Sequence, residues 1–284
     1  MTPEFVPLQP FIGAEVKGVD LRHPVSNDTA AALRQGWLKY KVLMFRNQDL
    51  TREQKLAAGR LFGTPERHPA FGEKDFPEII GIREKPGKKM GEWHTDVTYT
   101  AAPPSGAMLH AIHLPSVGGD TIFTNAAMAY ARLDDDTKRR IANLKAEHAP
   151  GFERNFDMTK DAERVRTLSQ ANPPRQHPVV TVHPETGERI LFVNEYFTTR
   201  IVGLDKGESD KLLARLFAEI KRPEYQVRVD WEEKMLIFWD ERATQHYAIA
   251  DYSEPRHLDR VTLSGTPPRG IDAVGETMAQ RAIA

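Results

Sequence analysis

The segment "SNDTAAALRQGWLKYK" opens on the cap-type residues Ser26 to Asp28 and then spaces Ala32, Leu33, Trp37 and Leu38 along one face, which predicts an amphipathic helix. "VLMFRN" begins as a continuous apolar run and predicts a buried strand. "TREQKLAAGRLFG" predicts a second helix, started by Thr51 and Gln54 and stopped at Gly63. From Glu92 onward the pattern shortens to β-rich pieces: "TDVTYT", "GAMLHAIHL", "DTIFTN", "HPVVTVHP", "RILFVNE", "YQVRVDW", "MLIFWD" and "RVTLSG". Turn material such as "PPSG", "SVGGD" and "PETGE" separates several of them. Eight such pieces suffice for a closed sheet or a two-sheet jelly roll. Two charged helical stretches, "DDDTKRRIANLKAEH" and "GESDKLLARLFAEIKR", cover the sheet, the second through Leu212, Leu213, Leu216, Phe217 and Ile220. The expectation is a mixed α/β, mainly β fold with a double-stranded β-helix (jelly roll) core flanked by helices. No repeat or long linker divides the chain, so residues 1–284 are expected to form one domain, ending in a mobile tail after "TPPRG".

Composition narrows the chemistry. The 284 residues carry 39 basic and 40 acidic side chains, a formal net charge of -1 that gives no electrostatic footprint for nucleic acid. No apolar run is fit to span a bilayer, and "MTPEFVPLQPF" lacks the basic region and apolar core of a secretory leader, so a cytoplasmic protein is expected. Cysteine is absent, which excludes disulfides, thiolate metal sites and a cysteine nucleophile together. Any metal must therefore be held by nitrogen and oxygen.

In "EWHTDVTY", His94 and Asp96 stand two positions apart among β-formers, a spacing that puts both on one face of a strand. Alone, the pair reads equally well as an ordinary polar strand edge. A third group occurs in "MLIFWDERATQHYAIADY", where an apolar strand carries Trp239 and Asp240 into a polar turn and then His246. Two histidines and one carboxylate on one face of an iron ion leave three coordination positions open, as oxygen chemistry needs. Arg256 and Arg260 in "SEPRHLDRVTLSG" lie just downstream, and a planar guanidinium can hold a carboxylate through two hydrogen bonds. Thr121, after the double glycine of "PSVGGDTIFTN", can hydrogen-bond a carboxylate, although "GGDT" by itself is turn chemistry. Sheet or turn structure accounts for His110, His113, His177 and His183. Trp93 and Trp239 either wall a site or simply pack the core.

Taken in order, "WHTDVTY", "PSVGGDTIFTN", "HPVVTVHPETGERILFVNEYFTTRIVGL", "WDERATQHYAIADY" and "RVTLSG" resemble segments of the taurine dioxygenase family of Fe(II)/2-oxoglutarate-dependent oxygenases. The likeness runs from "PFIGAEVKGVDL" to "RVTLSGTPPRG". It implies Fe(II), 2-oxoglutarate as cosubstrate and O2, with His94, Asp96 and His246 as iron ligands. Thr121 and Arg256 would hold the distal carboxylate of 2-oxoglutarate, Arg256 matching across a one-residue gap. Arg260, His68 in "RHPAF" and Phe197 in "NEYFTTR" would bind substrate.

The implied reaction hydroxylates the carbon beside an anionic group of a small organic acid. A sulfonate such as taurine or an alkylsulfonate would then yield sulfite and an aldehyde, with succinate and CO2. Alkyl sulfates and aryloxyalkanoates are alternatives. Met90 and Phe71 stand where some members carry polar Asn and Tyr, which removes partners for an ammonium and favours a less polar tail. Phe71 to Lys89 is the candidate lid. The resemblance also implies a homo-oligomer, a dimer or a tetramer. Two readings compete: a zinc hydrolase using the same three ligands, and a non-catalytic jelly-roll binding protein. The first lacks the His-Glu-x-x-His helix and leaves the arginines unexplained.

Overall fold

The computed structural model describes residues 2–68, 72–84, 91–154 and 156–272. The fold is mixed α/β, with fifteen strands and six α-helices among the described residues. They form two compact units, one drawn from residues 1–92, 104–125 and 223–265, the other from 93–103, 126–222 and 266–284. Among the described residues, no helix is long and apolar enough to cross a membrane.

The first unit is built on two sheets. A seven-stranded sheet runs in the order β1 (Glu4–Pro7), β2 (Ala14–Lys17), β3 (Val42–Phe45), β13 (Leu236–Trp239), β5 (Gly106–His113), β15 (Arg256–Leu263), β4 (Ile79–Glu84). A three-stranded sheet places β6 (Thr121–Asn125) between β12 (Gln226–Val229) and β14 (Thr244–Ala248). Strand alternation explains the layers. Val42, Met44, Ala107, Leu109, Ile237, Trp239 and Leu258 share one apolar cluster with Phe123, Val227 and Val229 of the smaller sheet. The intervening Leu43, Phe45, Met108, Leu236, Phe238, Val261 and Leu263 pack instead with Leu33 and Trp37 of α1 (Asn27–Tyr40) and Leu56 of α2 (Arg52–Arg60). Because β3 and β13 bury both faces, "VLMF" and "LIFW" read as unbroken apolar runs.

The two helices start where cap chemistry places them. Ser26 accepts from the Thr29 amide at 3.2 Å, and Thr51 and Gln54 close a reciprocal capping box. α2 ends at Arg60, short of Gly63, because the next residues tighten into turns in which the Leu61 and Phe62 amides bond back to Ala58 and Gly59.

Alternation along β15 sorts its charged residues. Arg256, Leu258 and Arg260 lie on the side of the three-stranded sheet, while His257 and Asp259 lie on the helix side. There Asp259 pairs with Lys55 of α2, side chains only 3% and 4% exposed, and lies 3.1 Å from His257 Nε2. His110 donates from Nε2 to the Gln48 carbonyl at 2.6 Å, and burial together with nearby Lys55 pushes its imidazole down to about 4, so the ring is neutral at ordinary pH. Lys55→Met would leave the Asp259 carboxylate buried without its ammonium. The expected loss is about 3–5 kcal/mol of stability, read from urea unfolding. A midpoint equal to wild type would show that the pair carries no such role.

In the second unit, β7 (Lys145–His148) lies between β11 (Thr198–Ile201) and β8 (Arg175–Pro178), and β9 (Val180–Val182) pairs with β10 (Arg189–Leu191). The helices are α3 (Ala126–Arg132), α4 (Asp135–Ile141), α5 (Ala162–Ala171) and α6 (Lys206–Ile220). α6 buries Leu212, Leu213, Leu216 and Ile220 as its apolar spacing predicts, behind an Asp205 cap.

Two local expectations are corrected. The helix predicted through "DDDTKRRIANLKAEH" ends at Ile141, and "KAEH" becomes β7, burying Ala146 and His148 alternately while two neighbouring strands satisfy its backbone. "TDVTYT" is no strand. It turns back on itself, with the Thr100 amide on the Val97 carbonyl at 2.9 Å and Val97 at φ 43. The expected tail after "TPPRG" falls mainly on residues 273–284, outside those described.

Candidate functional site

His94 and Asp96 belong to the second unit, immediately before the turn at Val97. His94 Nε2 stands 3.5 Å from an Asp96 carboxylate oxygen, and the two side chains are 4% and 7% exposed. Two lone-pair donors at that separation suit neighbouring positions around one cation, and the set contains only nitrogen and oxygen. Aromatic rings lie against the histidine: His94 is 5.8 Å from Tyr196 and 6.2 Å from Phe197 between centroids. Tyr99 stands 5.3 Å from Phe197 and 6.0 Å from Phe152. Burial, then the Asp96 charge, raises the Tyr99 phenol above its ordinary value, so it stays a neutral hydroxyl.

His246 belongs to the first unit, on β14, where it pairs across the sheet with Phe123 of β6. Its ring lies 5.2 Å from Trp239 and 5.9 Å from Phe123. The polar turn before it is tightly built. Asp240, 1% exposed, takes Arg242 Nε at 2.9 Å and Nη2 at 2.7 Å, and its carbonyl accepts the Thr244 hydroxyl at 2.7 Å. This turn fixes the start of β14 and with it the position of His246 two residues on.

Thr121 and Arg256, from strands of different sheets, meet at one tryptophan. Trp231 Nε1 donates to Thr121 Oγ1 at 3.0 Å, and the Arg256 guanidinium lies 5.8 Å from the Trp231 ring and 5.9 Å from Tyr252. Gly119 has φ 82, and a Cβ built there would stand 3.5 Å from Arg256 Cδ and 3.2 Å from Tyr252. The double glycine thus serves a left-handed turn that lets backbone approach this arginine. Arg260, one β-repeat pair further along β15, is half-buried. Its charge, after burial, helps lower the His68 imidazole below its ordinary value, against the opposing influence of Glu66. The Arg260 charge thus helps hold His68 toward its neutral form.

Sequence reasoning named Phe197 but not Tyr99, Tyr196 or Trp231. The available signal was aromatic residues directly following "DVT", "NE" and "RVD". The lid expected from Phe71 to Lys89 and the substrate argument from Phe71 and Met90 rest on residues outside those described, apart from 72–84.

Similarity to known proteins extends over most of the chain. The family "Taurine catabolism dioxygenase TauD, TfdA family" matches residues 4–262. The alpha-ketoglutarate-dependent sulfate ester dioxygenase of Pseudomonas putida is 34% identical over 274 residues, which cover 94% of this chain and 91% of that protein. The (S)-phenoxypropionate/alpha-ketoglutarate-dioxygenase of Sphingobium herbicidovorans is 32% identical, with 94% and 97% covered. The crystal structure of a taurine dioxygenase from Burkholderia xenovorans aligns with a TM-score of 0.83 at 37% identity, over 96% of this chain and 92% of that one.

Proposed function

Because this chain belongs to the taurine catabolism dioxygenase TauD, TfdA family, we propose that His94, Asp96 and His246 hold its iron and that its substrate is a small organic anion with an apolar tail. The enzyme is a dioxygenase that uses Fe(II), 2-oxoglutarate and O2. Iron and 2-oxoglutarate supply the activation of O2, with 2-oxoglutarate leaving as succinate and CO2 and one oxygen atom entering the substrate.

The ligand assignment is supported by the donor set, two imidazoles and one carboxylate, all buried and of a kind that could hold a metal ion. Thiolates are absent from the chain, which leaves a site suited to iron chemistry with open positions. Arg256 and Thr121 are assigned to the distal carboxylate of 2-oxoglutarate. Their shared contact with Trp231 supports this, because it sets a guanidinium and a hydroxyl around one buried ring. Arg260, together with His68, is assigned to the substrate anion. It would decide which carbon faces the metal, a positioning role with no proton transfer.

Tyr196 and Phe197 lie against His94, and Tyr99 and Phe152 continue that aromatic surface, which gives an alkyl chain apolar area to bury. Alkylsulfonates and alkyl sulfate esters fit best. Hydroxylation beside sulfonate sulfur gives a geminal hydroxysulfonate that collapses to aldehyde and sulfite; beside an ester oxygen it gives aldehyde and sulfate. Succinate release measured with taurine, hexanesulfonate and hexyl sulfate tests the reading. The six-carbon substrates are expected to exceed taurine in kcat/KM by about 10-fold or more. Preference for taurine would overturn it.

Arg260→Ala is expected to raise the KM for the organic anion about 10- to 100-fold through loss of a charged hydrogen bond, with the 2-oxoglutarate KM little changed. The reverse pattern would exchange the roles of Arg260 and Arg256.

The two sheets of the first unit are read as walls of a double-stranded β-helix, and the chain as one catalytic domain, supported by the family match over 4–262. A cytoplasmic homo-oligomer completes the proposal.

A further inference from the structure

Val97 lies between the ligand residue Asp96 and Thr98, and it is β-branched with φ 43. A β-branched side chain in the left-handed region costs about 1–3 kcal/mol, so the surroundings must hold the turn in place. A closed set of buried polar groups begins at the next residue. Thr98, 1% exposed, has its hydroxyl 2.9 Å from His148 Nδ1 and receives Asn194 Nδ2 at 3.1 Å. Asn194 Oδ1 accepts the Phe197 amide at 2.8 Å, and its own backbone amide donates to the Thr198 hydroxyl at 2.9 Å.

Burial, then neighbouring His177, pushes the His148 imidazole down to about 3, so the ring is neutral and fully buried on β7. Thr98 thus bridges Asn194 and His148 Nδ1 in one chain of hydrogen bonds. One end of that chain holds the residue two places after Asp96. The other holds the backbone of Phe197, whose ring faces His94.

We propose that Thr98, Asn194 and His148 are positioning residues that lock the strained turn carrying His94 and Asp96 and tie it to the aromatic wall at Phe197. The inference rests on the iron site proposed above. Its consequence is that metal affinity depends on a hydroxyl that touches no metal, as supporting hydrogen bonds around metal sites commonly do.

The test is a Co(II) titration of the purified apoprotein read through the visible ligand-field spectrum, without turnover. Thr98→Val keeps the shape and removes the hydroxyl. It is expected to weaken Co(II) binding about 10- to 100-fold, whereas Thr98→Ser, which restores the hydroxyl, stays within about threefold of wild type. Asn194→Ser, which deletes the amide donor, is the second variant should Thr98→Val not fold, and is expected to weaken Co(II) in the same range. Wild-type affinity in Thr98→Val, or equal losses in the Val and Ser variants of Thr98, would overturn the positioning role. Absence of Co(II) binding by wild type would instead overturn the metal site itself, together with this inference.

Discussion

His94→Ala is expected to abolish substrate-dependent succinate formation, with activity falling by more than about 10³-fold even at saturating Fe(II). Ligand count sets the size of the effect. Two histidines and one carboxylate would hold the metal by three positions and leave the rest for cosubstrate and oxygen, and a missing imidazole adds water where a directed nitrogen stood. Alanine also removes the ring that Tyr196 and Phe197 pack against, so a His94→Gln variant separates packing from ligation. Both variants should lose bound iron while retaining the wild-type circular dichroism spectrum. Near-normal turnover in His94→Ala would remove this residue from the metal site.

Arg256→Ala is the second large effect, and it is expected in the 2-oxoglutarate requirement. Arg256 is 5% exposed, and its guanidinium lies over Trp231 and Tyr252. A carboxylate brought there without its cation would be buried and unpaired, a penalty of about 2–5 kcal/mol, or about 30- to 5000-fold in the KM for 2-oxoglutarate. Arg256→Lys should recover only part of this, because an ammonium lacks the planar two-point hydrogen bond. Initial rates at varied 2-oxoglutarate and saturating substrate provide the measurement. An unchanged 2-oxoglutarate KM with a raised substrate KM would reassign the residue.

The sequence was most legible where chemistry is local. Ser26, Thr51 and Gln54 announced two helix starts, and the caps form as written. The apolar runs at 42–45 and 236–239 announced strands that are buried on both faces. Legibility failed where tertiary partners decide. Thr95, Val97 and Thr98 have β-forming side chains, yet this stretch is a turn, because Thr98 is drawn into hydrogen bonds with residues 50 and 96 positions away. "TQHYA" carries buried Thr244, Gln245 and His246 with little apolar signal, and becomes β14 only through pairing with β6. "KAEH" likewise is strand because β11 and β8 flank it. Within the candidate site, the metal-type residues could be named from spacing and family likeness. Trp231, which joins Thr121 to Arg256, could not, since no local pattern brings β6, β15 and the end of β12 to one ring.

Anaerobic addition of Fe(II) and 2-oxoglutarate to the purified protein, read by visible spectroscopy, is the most direct test of whether the two bind together beside an anionic substrate. A weak charge-transfer band from iron and 2-oxoglutarate is expected, shifting in shape as hexanesulfonate or hexyl sulfate is titrated in. With iron confirmed bound, absence of the band would remove 2-oxoglutarate from the metal and return the chain to the reading of a jelly-roll binding protein.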